Sequence, residues 1–465
     1  MLTFEKVTAE NAQRLRPYYD RCVYRLCEYS VGVKLMWAEH LHPSFCEAAG
    51  CLIVRNNIEG EWCFDFPVPG PEGDVDKALE LIERDCTEKG IRPVLSVVPE
   101  QEAGRLALRY PYVKIYNERV WMDYLYQTED LARFAGRRYS GQRNHINKFK
   151  KLYPQAQFVP LTQKDDVLIE GFWRDYEAEF EKDSAMAKKE LSLAKGMFRL
   201  LGTGWFVAGG LLCDGRLLAL SLGERCGNTL QVHIEKALYS CEGAYPAMVQ
   251  TFAAHYGENV QWANREDDAR DKGLRTSKLQ YLPAELGSKL RFEVDNELEH
   301  LPRIPTLQTP RLTLDALNEE DWQAYNALCL DEERNRWWGY DWKKDWKGEN
   351  LEEYFLDVTR EDFRRHLAVN FAIRLDGRCI GEAVLYNFDW RGGAELGCRI
   401  APEYAGHGYG TEAFAAAAEW ALYKLYVARV VAKCFKENEA SCKMLSSCMR
   451  KSGEDETYFY FEKLV

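Results

Sequence analysis

Residues 394–425 read AELGCRIAPEYAGHGYGTEAFAAAAEWALYKL, and this stretch decides the fold of the second half of the chain. Apolar and polar residues alternate from Ala394 to Ile400, the period of a half-buried strand. A glycine-rich turn follows, Ala405-Gly406-His407-Gly408-Tyr409-Gly410-Thr411-Glu412. Beyond Thr411, Phe414, Ala417, Ala418, Ala421, Leu422 and Leu425 recur at helical spacing. Strand, glycine turn and helix in that order set unpaired helix N-terminal amides beside an uncrowded backbone, where a pyrophosphate fits. The turn is not a P-loop, because no Gly-Lys-Ser/Thr follows. Glu437 could hold the ribose of a Rossmann unit, but only about 30 residues remain, too few for further βαβ units. A turn that binds nothing is the plain alternative.

Working outward, 321–330 reads as a helix, and 371–375 and 380–386 as strands around Asp376-Gly377-Arg378. Residues 429–435 are β-branched and strand-like, 439–449 helical and 457–464 a closing strand. Asn438 and Ser441 stand at the start of that last helix, where Asn438 is either a plain N-cap or a group facing a cofactor. Upstream, EVDNELEHLPRIPTLQTPR at 293–311 carries Pro302, Pro305 and Pro310, which reads as an extended linker. In the first half, Val75, Leu79, Ile82 and Cys86 mark a helix stopped by Gly90, with a strand at 93–98. A second round has strands on both sides of Asp214-Gly215-Arg216, another at 229–236 and a helix at 244–255. The recurring Asp-Gly-Arg turn suggests three related α/β units.

The 465 residues are 46% hydrophobic and 29% charged, the balance of folded globular domains. Net charge is −12, split as 39 basic against 45 acidic residues through position 300 and 22 against 28 after it. Neither half is therefore a non-specific nucleic-acid binder as a whole. One local exception is Arg133, Arg137, Arg138, Arg143, Lys148, Lys150 and Lys151 with His145, a run without acidic residues. It is either a solvated helix face or a seat for RNA or tRNA phosphates. Asn264, Arg265, Glu266, Asp267 and Asp268, followed by Gly273, Arg275 and Lys278, suggest a polar pocket or a helix-start network. Fifteen scattered cysteines without a C-x-x-C pair suggest reduced thiols and a cytoplasmic location. The eight histidines do not cluster with cysteines, so no metal is expected. No apolar run approaches the ~20 residues of a membrane span, and MLTFEKV shows no secretory leader, so no stable membrane insertion is expected. Nothing in the sequence fixes an oligomeric state.

The words TPRLTLDALNEEDW, IGEAVLYNFDW, AELGCRIAPEYAGHGYGTEAF and NEASCKML, in that order, resemble the GNAT acetyltransferases, especially the RimJ/RimL-like branch. The resemblance implies acetyl-CoA as acyl donor, with Cys398, Arg399 and Ile400 as the strand edge for its pantetheine arm. Gly406, His407, Gly408, Tyr409, Gly410 and Thr411 become the pyrophosphate cradle, Asn438 a CoA contact and Ser441 the proton donor to the departing thiolate. Ala405 departs from the Gln or Arg of many members. Direct attack by an amine in a ternary complex needs a base, for which Glu395 and Glu382 are candidates, each with an ordinary strand-face role as alternative. Trp337, Trp338, Tyr340 and Trp342 would wall the acceptor or simply pack.

The first half resembles another group. RRYSGQRNHINKFKK at 137–151, LSLGE, QVHIEKA and NREDDARDKGLRTSKLQY at 264–281 are similar to the DUF2156 family, related to the catalytic domain of phosphatidylglycerol lysyltransferases. That resemblance implies a tandem GNAT-like fold over 1–294, with Arg143, Asn144, Lys148, Glu235, Arg265, Glu266 and Lys278 as candidate site residues. The expected architecture is mixed α/β (α+β sheets) with three GNAT-like units: a tandem pair at 1–294, a linker at 295–310 and an acetyltransferase domain at 311–465. The leading functional expectation is N-acetylation of a small-molecule or peptide amine. The alternatives are aminoacyl-tRNA-dependent transfer by the first half, and a non-catalytic CoA-sensing or RNA-binding protein.

Overall fold

Asp214 and Gly215 take φ of 49° and 74°, Asp376 and Gly377 of 49° and 82°. Positive φ at two successive residues is the two-residue hairpin turn whose twist matches that of its strands. The first joins Val207–Cys213 to Arg216–Cys226, the second Val369–Leu375 to Arg378–Asp389, both antiparallel. These hairpins are the centres of two sheets in the computed structural model, which describes residues 2–180, 185–338, 341–348 and 350–465. The chain forms two units, residues 1–104 with 114–293, and residues 105–113 with 294–465.

The second unit holds one sheet in the order Leu307–Gln308, Thr313–Ala316, Val369–Leu375, Arg378–Asp389, Gly393–Ile400, Arg429–Phe435, Tyr458–Leu464, Arg450–Glu454. Every neighbouring pair is antiparallel except Gly393–Ile400 with Arg429–Phe435. A parallel pair requires a crossover, and helix Tyr409–Tyr423 supplies it. Its Ala413, Ala417, Ala418 and Ala421 are buried, so a methyl-sized face lets the helix lie close on Phe371, Leu385 and Leu396 of the core.

The first unit contains the same plan twice. One sheet runs Glu5–Lys6, Ser44–Ala48, Cys51–Ile58, Glu61–Asp65, Val94–Pro99, Lys289–Val294, with helix Val75–Lys89 crossing between the parallel Glu61–Asp65 and Val94–Pro99. The other runs Gln157–Leu161, Val207–Cys213, Arg216–Cys226, Thr229–Ala237, Trp262–Asn264, Asp123–Gln127, with helix Ala244–Tyr256 crossing between the parallel Thr229–Ala237 and Trp262–Asn264. In the second unit, the strand that closes the sheet beyond the parallel pair follows it in sequence. In the first unit the closing strands are exchanged: Lys289–Val294 closes the first sheet and Asp123–Gln127 the second. Three related sheets are thus present, as the sequence suggests, but the first two interlock.

Residues 295–310 depart from an extended spacer. Glu297–His300 is a 3-10 helix, Leu298 is fully buried in the second unit's core, and Leu301, Ile304 and Leu307 pack against it. These four recur every third residue, the spacing that sets one face of a proline-rich extended chain against a core. Leu298→Ala should therefore cost about 2–5 kcal/mol, read by urea unfolding of the full chain. A loss below about 1 kcal/mol would mark the stretch as an energetically idle spacer.

Candidate active site

The parallel pairing in the second unit closes over three positions only, Gly393 with Arg429, Ala394 with Val430 and Glu395 with Val431. Past Glu395 the strand pairs on its other side alone, with Arg378–Asp389, so residues 396–400 present an open backbone edge. A cavity of about 650 Å³ opens there, between Leu396, Gly397, Cys398 and Arg399 on one strand and Ala432, Lys433, Cys434 and Phe435 on the other. Glu382, Glu395, Asn438 and Ser441 line it, as do Trp337, Trp338 and Trp342, whereas Tyr340 lies outside the described residues.

The glycine turn flanks this cavity. Gly406 and Gly408 have φ of 82° and 77°, and Gly408 is the N-cap of helix Tyr409–Tyr423. Gly410 reaches within 3.7 Å of Met444 Sδ, which lines the cavity, if a Cβ is built on it, and within 3.4 Å of Ile400 Cγ1. Among the described residues, no acceptor takes the amide hydrogens of Gly406 through Thr411, the normal state of a first helical turn. The turn is held from behind by two residues the sequence reading passed over. Arg311 donates to the His407 carbonyl (2.9 Å) and to Glu412 (2.7 Å), and its guanidinium lies 4.7 Å from the Tyr409 ring centre. Thr309 also donates to Glu412, and although burial opposes it, Thr309 and Arg311 hold that carboxyl below its usual range. Free amides, positive-φ glycines and a nearby guanidinium suit a diphosphate. The open strand edge suits an amide-bearing arm, so the residues fit a coenzyme A thioester.

The two candidate bases differ sharply. Glu382 is 1% exposed and its carboxylate accepts from Tyr325 (2.7 Å), Asn370 (3.4 Å) and Arg399 (2.6 Å). That leaves it no free position for an acceptor amine, contrary to the expected role. Arg399, expected as an edge residue, turns its side chain to Glu382, to Asn335 and to the Cys329 thiol, and stacks 4.5 Å over Trp338. Among the described residues, Glu395 accepts from Tyr386 (2.8 Å) and Asn387 (3.0 Å), with Lys433 at 3.6 Å. Burial, followed by the Glu395 charge, pushes the Tyr386 phenol well up, so it stays a proton donor to that carboxylate. Asn438 does cap its helix, accepting from the Ser441 amide at 3.1 Å, and both residues line the cavity.

In the first unit the candidate residues separate. Arg265, buried, and Glu235, largely buried, pair at 2.7 Å, with Tyr245 accepting from Arg265 (2.9 Å) and the Tyr281 ring 4.5 Å away. Lys278 donates to the carbonyls of Arg265, Glu266 and Asp267, and burial lowers its pKa. Arg143 instead caps the carbonyls of Phe134 and Gly136, Lys148 pairs with Glu242, and Asn144 is exposed. The basic run is partly neutralised, since Arg133 pairs with Glu129 and Arg138 with Asp130 as well. The turn matching the second unit's glycine loop is also filled: Glu179 accepts from both the amide and the hydroxyl of Ser240.

Two buried clusters in this unit escaped the sequence reading, because their members come from distant segments. His233 sits between Glu224 (3.0 Å) and Glu266 (2.8 Å), while Glu224 also takes Arg16 and the Gly32 amide. A Cβ on Gly32 would fall 2.2 Å from His233 Nε2, so only glycine fits. Burial opposes charge on His233, but the two carboxylates outweigh it and lift its pKa to about 9. In the other cluster Lys289 reaches Asp123 (2.7 Å), Glu28 (2.8 Å) and Asp267 (3.3 Å), beside the Cys27 thiol (3.3 Å). Cys27, Glu28 and Asp123 are grouped closely enough to ligate a cation, and the Lys289 ammonium is the cation they hold.

The family model for the C-terminal domain of phosphatidylglycerol lysyltransferase matches residues 23–289, and that for the GNAT acetyltransferase domain matches 311–448. The first spans more than half of the chain, which therefore belongs to the phosphatidylglycerol lysyltransferase C-terminal domain family. Its second unit is an acyltransferase domain of the GNAT type that uses acyl-CoA. A conserved protein of unknown function from Bacteroides thetaiotaomicron shares the fold, with 24% identity, TM-score 0.57, and coverage of 63% of this chain and 100% of its own. RimJ of Mycobacterium smegmatis, solved with CoA-disulfide, is 20% identical over 35% of this chain and 87% of its own, with TM-score 0.30. An uncharacterized protein of Mycoplasmoides gallisepticum is 23% identical over 162 residues, 35% of this chain. The match spans about half of that relative's length, 52%. No helix among the described residues is long and apolar enough to cross a membrane.

Two outcomes are expected. Gly408→Val should weaken CoA binding at least about tenfold in calorimetry on the full chain, since a β-branched residue resists the φ of 77° and its side chain would meet the Arg311 guanidinium that holds the turn. Unchanged affinity in a folded variant would remove the turn from the site. For His233, the folded pKa is raised, so its stabilisation is complete below the unfolded value near 6.5 and is lost as pH rises through about 9. The stability difference between wild type and His233→Gln should accordingly shrink from pH 7 to pH 10, and a constant difference would show a neutral imidazole.

Proposed function

We propose that the second unit transfers an acetyl group from acetyl-CoA to a primary amine by direct attack within a ternary complex. The observation that carries this reading is the open strand edge at 396–400, set between the unpaired amides of the glycine turn and a cavity lined by Glu395 and Ser441. Acetyl-CoA supplies an activated thioester. The chain's own part is to hold and orient: the edge and the Gly406–Thr411 amides fix the donor, and the tryptophan-lined wall excludes water around the acceptor. A C–N bond forms as the C–S bond breaks. Glu395, or a water on it, receives the amine proton, and the Ser441 hydroxyl gives a proton to the departing sulfur. Glu382 serves this arrangement indirectly, by fixing Arg399 and with it the strand edge.

For the first unit we favour a different donor, an aminoacyl ester, in keeping with its family. The favouring observation is that its equivalent of the acyl-CoA cleft is filled, by Glu179 on Ser240 and by the buried Arg265–Glu235 pair.

Ser441→Ala should lower kcat about tenfold to a hundredfold with CoA affinity nearly intact, because a proton donor to the leaving sulfur acts in the transition state. Calorimetry with CoA beside steady-state acetylation of an amine panel separates the two. Loss of CoA binding without a separate loss of turnover would make Ser441 a donor-holding residue instead.

A further inference from the structure

We propose that the amine acceptor carries a second cationic group, and that Asp362 and Asn370 form the subsite that reads it; this rests on the acyl-transfer reading above. The cavity wall carries Asp345, Asp362, Glu382 and Glu395 against Arg399 and Lys433, four carboxylates to two cations. Arg399 is spent on Glu382, and Lys433 stands beside Glu395. Asp362 has no hydrogen bond or ion pair to its carboxylate among the described residues, although it is half-buried. Burial raises its pKa from the ordinary aspartate value, an effect that Arg365 only partly counters through space. A cation arriving at Asp362 would relieve that penalty.

Asn370 is the independent observation. It is 9% exposed and lines the same cavity, and its Oδ1 has no donor among the described residues. Its orientation follows from its neighbour: Nδ2 donates to the Glu382 carboxylate at 3.4 Å, and the flipped amide would set oxygen against oxygen. An acceptor-only oxygen left unpaired on the wall that also carries the unpaired Asp362 carboxylate calls for a donor that brings several N–H groups and positive charge. Asp362 also lies in the last turn of helix Leu351–Arg364, the end that favours cations. Trp342 and Phe355 on the same wall suit the methylenes between two amino groups. The substrate class is therefore a diamine or polyamine, or a basic amino-acid side chain beside the reacting amine.

The test is calorimetry on the full chain with α,ω-diamines, 1,3-diaminopropane through 1,6-diaminohexane, against n-butylamine. At least one diamine should bind about tenfold tighter than the monoamine, the effect expected of a charged hydrogen bond. Asp362→Asn should reduce that preference to within about threefold, with n-butylamine and CoA affinities unchanged. It should also fold normally, since it removes a charge that burial disfavours. Diamines that bind no better than n-butylamine, or a preference that survives in Asp362→Asn, overturn the subsite. Acetylation assays separate the two readings. Monoamines acetylated as efficiently as diamines defeat the subsite and leave acyl transfer standing. Tight diamine binding, lost in Asp362→Asn, without acetylation of any amine upholds the subsite and defeats acyl transfer.

Discussion

Each of the three sheets contains a parallel strand pair bridged by a crossover helix, and the pairing is short: two positions in the first sheet, three in the second and three in the third. The crossover helix fixes this topology, and sheet twist parts the strands once the pairing stops. What remains is a strip of backbone N–H and C=O groups facing a cleft inside the domain. Such groups are costly to bury unpaired, so a cleft of this kind has to be filled or used. The chain does both. In the second sheet, residues at the mouth of the cleft are an Arg–Glu pair packed among tyrosine rings, and Ser240, in the turn before helix Ala244–Tyr256, donates to the Glu179 carboxylate. In the third, the edge and the amides are left open, and the catalytic candidates gather around them. The difference between a filled cleft and an open one is thus carried by a few side chains on one backbone plan.

Much of this plan can be read along the chain because its determinants are local. The Asp-Gly turns, the alanine stripe from Ala413 to Ala421 and the strand–glycine–helix order each depend on residues within one or two turns of each other. The exchanged closing strands do not. Lys289–Val294 and Asp123–Gln127 have ordinary strand patterns, and nothing in either specifies which of two similar sheets it joins. The role of Glu382 is invisible for a related reason: its period-2 position marks it as facing one side of the sheet, but Arg399, Tyr325 and Asn370 come from three other elements. Leu298, Leu301, Ile304 and Leu307 were legible in principle. Their period of three belongs neither to an α-helix nor to a strand, and the prolines between them mask it as a spacer.

The exchange in the first unit raises the question of what prevents each closing strand from returning to the sheet nearest in sequence. Apolar burial alone does not discriminate, since either sheet could cover the same side chains. Buried charge does. Asp123 lies on the strand given to the second sheet and Lys289 on the strand given to the first, and they meet at 2.7 Å with Glu28 alongside. Burial pushes the Glu28 carboxyl up to about 7 in spite of Lys289, while burial of Lys289 is outweighed by Asp123, Cys27 and Glu28, which raise it; desolvation thus offsets part of the attraction within the cluster. Its value lies in the alternatives it forbids. Any pairing that separates Lys289 from Asp123 leaves an uncompensated charge in the interior, a penalty of about 3–5 kcal/mol for a broken buried pair. The same reasoning applies to Glu224, His233 and Glu266, which join the helix bearing Gly32 to two strands of the second sheet. Hydrophobic patterning therefore forms the three sheets, and buried ionic contacts between sequence-distant segments select the interlocked arrangement of the first two.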